Sequence, residues 1–190
     1  MHIDNSDERQ KLLIRRRLGE ALPGAAVLDC FSGTGQMAAQ AWAGRRVVRI
    51  DKKRLPGIDH VGDNEKLAPK LAASGAFGIL DLDAYSNPWR LMQLVAQALP
   101  PGRYGFAITC GMRRTLAHGR DRWACDLIGI PRCGANLLAF YDEVVSLALH
   151  RTGMAIESAE WLAPSKRGLT VRYFGVLARK TVAVKPDPEP

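Results

Sequence analysis

The chain of 190 residues has the size of one compact domain, and its 47% hydrophobic content is enough to bury a substantial core. No apolar run approaches the roughly 18–20 residues needed to span a bilayer. The opening Met1-His2-Ile3-Asp4-Asn5-Ser6-Asp7-Glu8 lacks the basic-then-apolar order of a secretory signal, so the expectation is a soluble, cytoplasmic protein with no membrane partner. Cys30, Cys110, Cys125 and Cys133 form no close pair, and reduced thiols are expected. The net charge of +8 favours a phosphate-rich partner if the positive residues share a face, and solvated surfaces if they do not. They cluster at Arg15 to Arg17, Arg45-Arg46, Lys52 to Arg54, and from Arg113 to Arg132.

In chain order, residues 8–22 place Leu12, Leu18 and Leu22 among charged residues, which predicts an amphipathic helix ended by Pro23-Gly24. This helix reads as an N-terminal extension, 1–24, beside a main domain at 25–180. Ala25 to Leu28 is a short apolar run stopping at Asp29, as a buried parallel strand does, and Ser32-Gly33-Thr34-Gly35 turns into an alanine-rich helix. A second strand, 46–50, ends at Asp51. A third, 58–62, ends at Asp63-Asn64 and leads into a helix over 65–73. A fourth strand spans 77–82, a helix 89–99, and a fifth strand 104–109.

From Gly111 to Gly134 regular alternation lapses in a segment rich in Arg and Gly. A helical stripe returns over 136–151 with Leu137, Phe140, Tyr141, Val144 and Ala148. The runs 155–162 and 169–178 read as an antiparallel hairpin, and the Pro-rich, charged tail, 181–190, as disordered.

Strands alternating with helices imply an α/β fold, a mostly parallel seven-stranded sheet with helices on both faces and the hairpin at its end. Ligands of such sheets lie beyond the carboxyl ends of the strands. Those ends read Asp29, Asp51, Asp63, Asp83 and Cys110, a crowding of polar groups on one rim.

Gly33 and Gly35 allow a sharp strand-to-helix turn and leave room for a ligand against backbone amides. Gly33 to Ala38 also fits a relaxed dinucleotide pattern, so NAD or FAD is an alternative. Against it, Asp29-Cys30-Phe31-Ser32 separates strand from glycines and sets a carboxylate where a pyrophosphate would sit; that carboxylate suits an ammonium or sulfonium. Asp51 at the next strand end can accept both ribose hydroxyls of any adenosine ligand.

Residues 25–180 resemble a class I S-adenosylmethionine-dependent methyltransferase, Rossmann-like in fold, with Val27-Leu28-Asp29-Cys30-Phe31-Ser32-Gly33-Thr34-Gly35 matching that family's first motif. The resemblance implies S-adenosylmethionine as cofactor. It implies that Asp29, Phe31, Ser32, Gly33, Thr34 and Gly35 contact the methionine part, Asp51 with Lys52 the ribose side, and Asp63 with Asn64 the adenine edge. Asp81 either joins this cofactor set or caps a turn or pairs with a nearby arginine.

The fourth strand end, Asp81-Leu82-Asp83-Ala84-Tyr85-Ser86-Asn87-Pro88-Trp89, partly resembles the corresponding element of tRNA guanine exocyclic-amine dimethyltransferases. Ala84 and Ser86 depart from that pattern. A carboxylate there holds the hydrogens of a weakly nucleophilic amine while an aromatic ring stacks on the base. The catalytic candidates are therefore Asp83 and Tyr85, and the implied partner is RNA or DNA, with arginines of 111–134 available for phosphates or forming an ordinary surface loop. Cys110 as a nucleophile and a zinc site from Cys110, His118, Cys125 and Cys133 are weaker alternatives. Methylation of a protein or small molecule, and a non-catalytic module of the same fold, also remain open.

Overall fold

The structure is a computed structural model that describes residues 7–84, 88–111, 122–129, 140–163 and 171–181. Helix α1 (Glu8–Ala21) opens the chain, with the Asp7 side chain accepting from the Gln10 amide as its N-cap. There follow β1 (Val27–Asp29), α2 (Gln36–Ala41), β2 (Val47–Asp51), β3 (His60–Val61), α3 (Asn64–Ala72), β4 (Ile79–Asp83) and α4 (Trp89–Ala98). The described chain continues through β5 (Gly102–Gly111), α5 (Arg122–Ile128), α6 (Tyr141–His150), β6 (Met154–Leu162) and β7 (Val171–Lys180).

The seven strands form one sheet in the order β3-β2-β1-β4-β5-β7-β6. Neighbours from β3 to β5 pair in parallel, whereas β7 runs antiparallel between β5 and β6. The order reverses after β1, so the carboxyl ends of β1 and β4 flank the crevice where such sheets take ligands. Pairing brings Asp29 level with Asp81, and Asp83 level with Thr109.

Each face of the sheet carries its own core. On one, Ile14 and Leu18 of α1 and Trp42 pack with Val27, Ile79, Ala107 and Tyr173. On the other, α3, α4, α5 and α6 cover Leu28, Leu80, Phe106, Ile108, Phe174 and Val176. Helix α1 packs onto the first face through Ile14 and Leu18. It lies close because β5 and β7 present Gly105 and Gly175 beneath it; a Cβ there would stand 3.0 Å from Leu22 Cδ1 and 3.1 Å from Ile14 Cγ2.

Three expectations shift at their edges. The third strand shrinks to two exposed residues, since it pairs only with β2 at the sheet margin. The fifth grows to ten residues because β7 pairs along its whole length, beyond the apolar run that marks it in sequence. Within the segment read as irregular, α5 buries Ala124, Cys125 and Leu127, a stripe too short to register as periodicity. Among the described residues no helix is long and apolar enough to cross a membrane.

Candidate functional site

The loop from Asp29 to Gly35 is built around two carboxylates. The Asp29 side chain accepts from the Phe31 amide at 3.3 Å and from the Ser32 hydroxyl at 2.6 Å. Asp51 Oδ2 accepts from the Gly33 amide at 2.9 Å, while its Oδ1 accepts from the Lys53 amide at 2.9 Å. The Ser32 amide reaches the Ile50 carbonyl and the Cys30 amide the Asp81 carbonyl, so the loop is stitched across β1, β2 and β4.

The two glycines do different work. Gly33 has φ +50° and open space where a side chain would be, as a ligand cradle requires. Gly35 has φ +79°, but its vacant side is filled: a Cβ there would lie 2.0 Å from Arg49 Nη2. The second gap therefore accommodates the protein's own guanidinium, not a ligand.

Of the other cofactor candidates, Phe31 is half-buried against the core, Thr34 and Lys52 are exposed, and Asp63 caps α3 by accepting from the Glu65 amide at 3.1 Å. Asn64, next in line, is buried, and its side-chain oxygen has no donor. Such an orphaned acceptor at a strand-end rim fits an adenine amino group.

Asp81 points away from the rim. It takes a bidentate pair from Arg15, Nε to Oδ2 at 2.7 Å and Nη2 to Oδ1 at 2.6 Å, and a third bond from Trp42 Nε1 at 2.8 Å. Both Arg15 and Asp81 are 2% exposed. Of the alternatives open for Asp81, the arginine pairing is the one found, and its partner comes from α1, far away in sequence.

Asp83 stands at the rim, 15% exposed, with Lys11 Nζ at 2.8 Å and Arg15 Nη2 at 3.3 Å. Burial pushes its carboxyl upward, but the charges of Arg15 and Lys11 outweigh that and hold it below the ordinary carboxylate range. It is ionised at neutral pH and already has two cationic partners. Tyr85 lies outside the described residues. Trp89, four residues on, is buried in the aromatic core, 5.6 Å from Tyr141.

Asp29 behaves oppositely. Burial and then the neighbouring Asp81 charge push its carboxyl up to about 7. A carboxyl held above its unfolded value favours the fold fully only at acid pH, and that contribution fades as pH rises from about 3.8 to about 7. Asp83, shifted the other way, keeps its contribution throughout that window. Urea midpoints of the wild type should therefore carry a declining component across it, and Asp29→Asn should remove that component; an unchanged slope would show that Asp29 does not titrate there.

Cys110 and Cys125 are fully buried in the core, where a small polarizable side chain packs well. His118 and Cys133 lie outside the described residues, as does most of the arginine-rich stretch. Among the described residues no cluster of His, Cys, Asp or Glu could hold a metal ion. The feature missed in sequence is Arg49; its place two residues before Asp51 on β2, hence on the same strand face, is the signal that would have found it.

No protein-family model and no curated protein matches the sequence. Solved structures do. The 1,6-didemethyltoxoflavin-N1-methyltransferase of Burkholderia thailandensis, determined with 1,6-didemethyltoxoflavin and S-adenosylhomocysteine, is 17% identical over 93% of this chain and 80% of its own, with TM-score 0.58. TYW2 of M. jannaschii, in complex with AdoMet, is 10% identical over 94% of this chain and 78% of its own, with TM-score 0.59. The [4+2]-cyclase SpnF is 17% identical over 92% of this chain and 82% of its own, with TM-score 0.55. The strand order, the glycine loop between β1 and α2 and this likeness together give the chain the class I S-adenosylmethionine-dependent methyltransferase fold.

Proposed function

We propose that the protein binds S-adenosylmethionine at the carboxyl rim of β1, β2 and β3 and transfers its methyl group to a small molecule or a protein. The observation that carries the reading is the loop itself: Gly33 is open, and its amide is anchored on Asp51, a half-exposed carboxylate with lone pairs left for ribose hydroxyls. Asp63 and the buried Asn64 would meet the adenine edge, and Phe31 and Ser32 the methionine part. Asp81 has no share in this, being occupied by Arg15 and Trp42. The bound sulfonium supplies an activated methyl group; the protein's task is to align donor and acceptor and relieve the acceptor of a proton.

Asp83 weighs in the choice of acceptor. Gripping an exocyclic amine through this carboxylate would set the amine in competition with Lys11 and Arg15 for its oxygens. An acceptor that brings its own acidic proton, or meets its base elsewhere, avoids that conflict. A nucleobase amine in RNA or DNA, as in the tRNA guanine enzymes, is the second reading. It is favoured by the +8 charge and the spacing of Asp83, Tyr85 and Pro88.

Incubation with methyl-labelled S-adenosylmethionine and separate pools of tRNA, rRNA, duplex DNA, single-stranded DNA, protein and small-molecule extract tests both. Label is expected in the small-molecule or protein pool. Label in a nucleic-acid pool would move the assignment to the second reading, and binding without transfer to any pool would leave a cofactor-sensing module of the same fold.

A further inference from the structure

Arg49 leaves β2 on the same face as Asp51, and its guanidinium spans two loops distant in sequence. A Cβ on Gly35, at the start of α2, would lie 2.0 Å from its Nη2, and one on Gly57, in the β2–β3 connection, 2.3 Å from its Nη1. Both glycines have positive φ, +79° and +74°. The slot thus matches a flat guanidinium, and a lysine ammonium would not fill it.

The hydrogen bonds run one way. Arg49 Nε donates to the Ser32 hydroxyl oxygen at 2.7 Å, and that hydroxyl donates its single proton to Asp29 at 2.6 Å. With its acceptor side taken by Arg49, the Ser32 rotor has one orientation left. Meanwhile Nη2 is buried without an acceptor, which is costly. An arginine kept only to fill the gap would be bettered by an apolar side chain, so its presence argues for a task in the loop.

We infer that Arg49 is a positioning residue for the cofactor: wedged between Gly35 and Gly57, it fixes Ser32 on Asp29 and so holds the loop with Gly33 open to the ligand. This rests on the S-adenosylmethionine reading of the same loop. Around Asp29 stand Asp81 from β4, Arg15 from α1, and Ser32 with the Phe31 amide in its own loop.

Calorimetry with S-adenosylhomocysteine on the full chain tests the inference, using Arg49→Met, Ser32→Ala and the double variant at several pH values. Each single variant should bind about tenfold more weakly, the size of one lost charge-assisted hydrogen bond. The double variant should bind no more weakly than the weaker single, because both cut one chain. The pH at which affinity rises should move alkaline in both singles, most in Ser32→Ala, where Asp29 loses its donor outright, and less in Arg49→Met, where the donor stays but its orientation is no longer fixed. Any fall in the thermal midpoint without ligand should be too small to account for the lost affinity.

Multiplying losses, an unshifted pH profile, or affinity that falls only as the melting midpoint falls would overturn the inference. Wild-type binding with equal binding by Arg49→Met would overturn it while leaving the cofactor reading intact. A wild type that does not bind at all would remove both.

Discussion

Arg15→Met should lower unfolding free energy by about 3–5 kcal/mol, the cost of leaving a buried charge without its partner. Arg15 and Asp81 are each 2% exposed, and Asp81 lies level with Asp29 on the neighbouring strand. Removing the guanidinium leaves two carboxylates facing each other under α1, with Trp42 Nε1 on Asp81 and the Ser32 hydroxyl and Phe31 amide on Asp29 but no positive charge between them. A domain this size has about 5–15 kcal/mol in total, so the variant should show a greatly reduced urea midpoint. Adding Asp81→Asn should restore much of the loss, because a neutral amide beside methionine has no stranded charge. A single variant within about 1 kcal/mol of wild type would mean that the pair contributes no more than an exposed one.

Asp51→Ala should weaken S-adenosylhomocysteine binding about 100-fold with little change in thermal stability. If the carboxylate accepts two ribose hydroxyls, each bond to a charged acceptor is worth about 1.5–3 kcal/mol, and a net loss near 3 kcal/mol is two decades of affinity. The alanine also frees the Gly33 and Lys53 amides from their present acceptor, which loosens the loop in the same direction. Asp51→Asn keeps an oxygen for one hydroxyl and should lose about tenfold. Titration calorimetry reads both; equal affinity for wild type and Asp51→Ala would take the ribose off this residue.

The two variants probe different depths of one rim. Asp81 and Arg15 are structural cement beneath it, while Asp51 and Gly33 form its open surface. Asp83 falls between them, exposed enough to meet a ligand yet tied to Lys11. That tie couples the N-terminal helix to the place where an acceptor would arrive.

Much of this architecture can be read from the amino-acid order. Short apolar runs such as Ala25 to Leu28 and Phe77 to Leu80, each stopping at an aspartate, lie between helical patterns, and such alternation leaves few chain paths other than parallel strands with helices on both faces. Once the strands are parallel, Asp29, Asp51, Asp63 and Asp83 must come to one rim, whatever their side chains do there. Local period and turn chemistry are short-range properties, and each is complete within a dozen or so residues.

Only the tertiary structure decided which of those carboxylates remain available. Arg15 meets Asp81 across 66 residues and Lys11 meets Asp83 across 72, distances at which no local pattern operates. The same holds for the gap at Gly35: glycine in a turn announces free space, but whether a ligand or Arg49 takes it depends on the packing of β2 against the loop. Charges and voids between distant elements are settled by how the surfaces meet, and that meeting exists only in the folded chain.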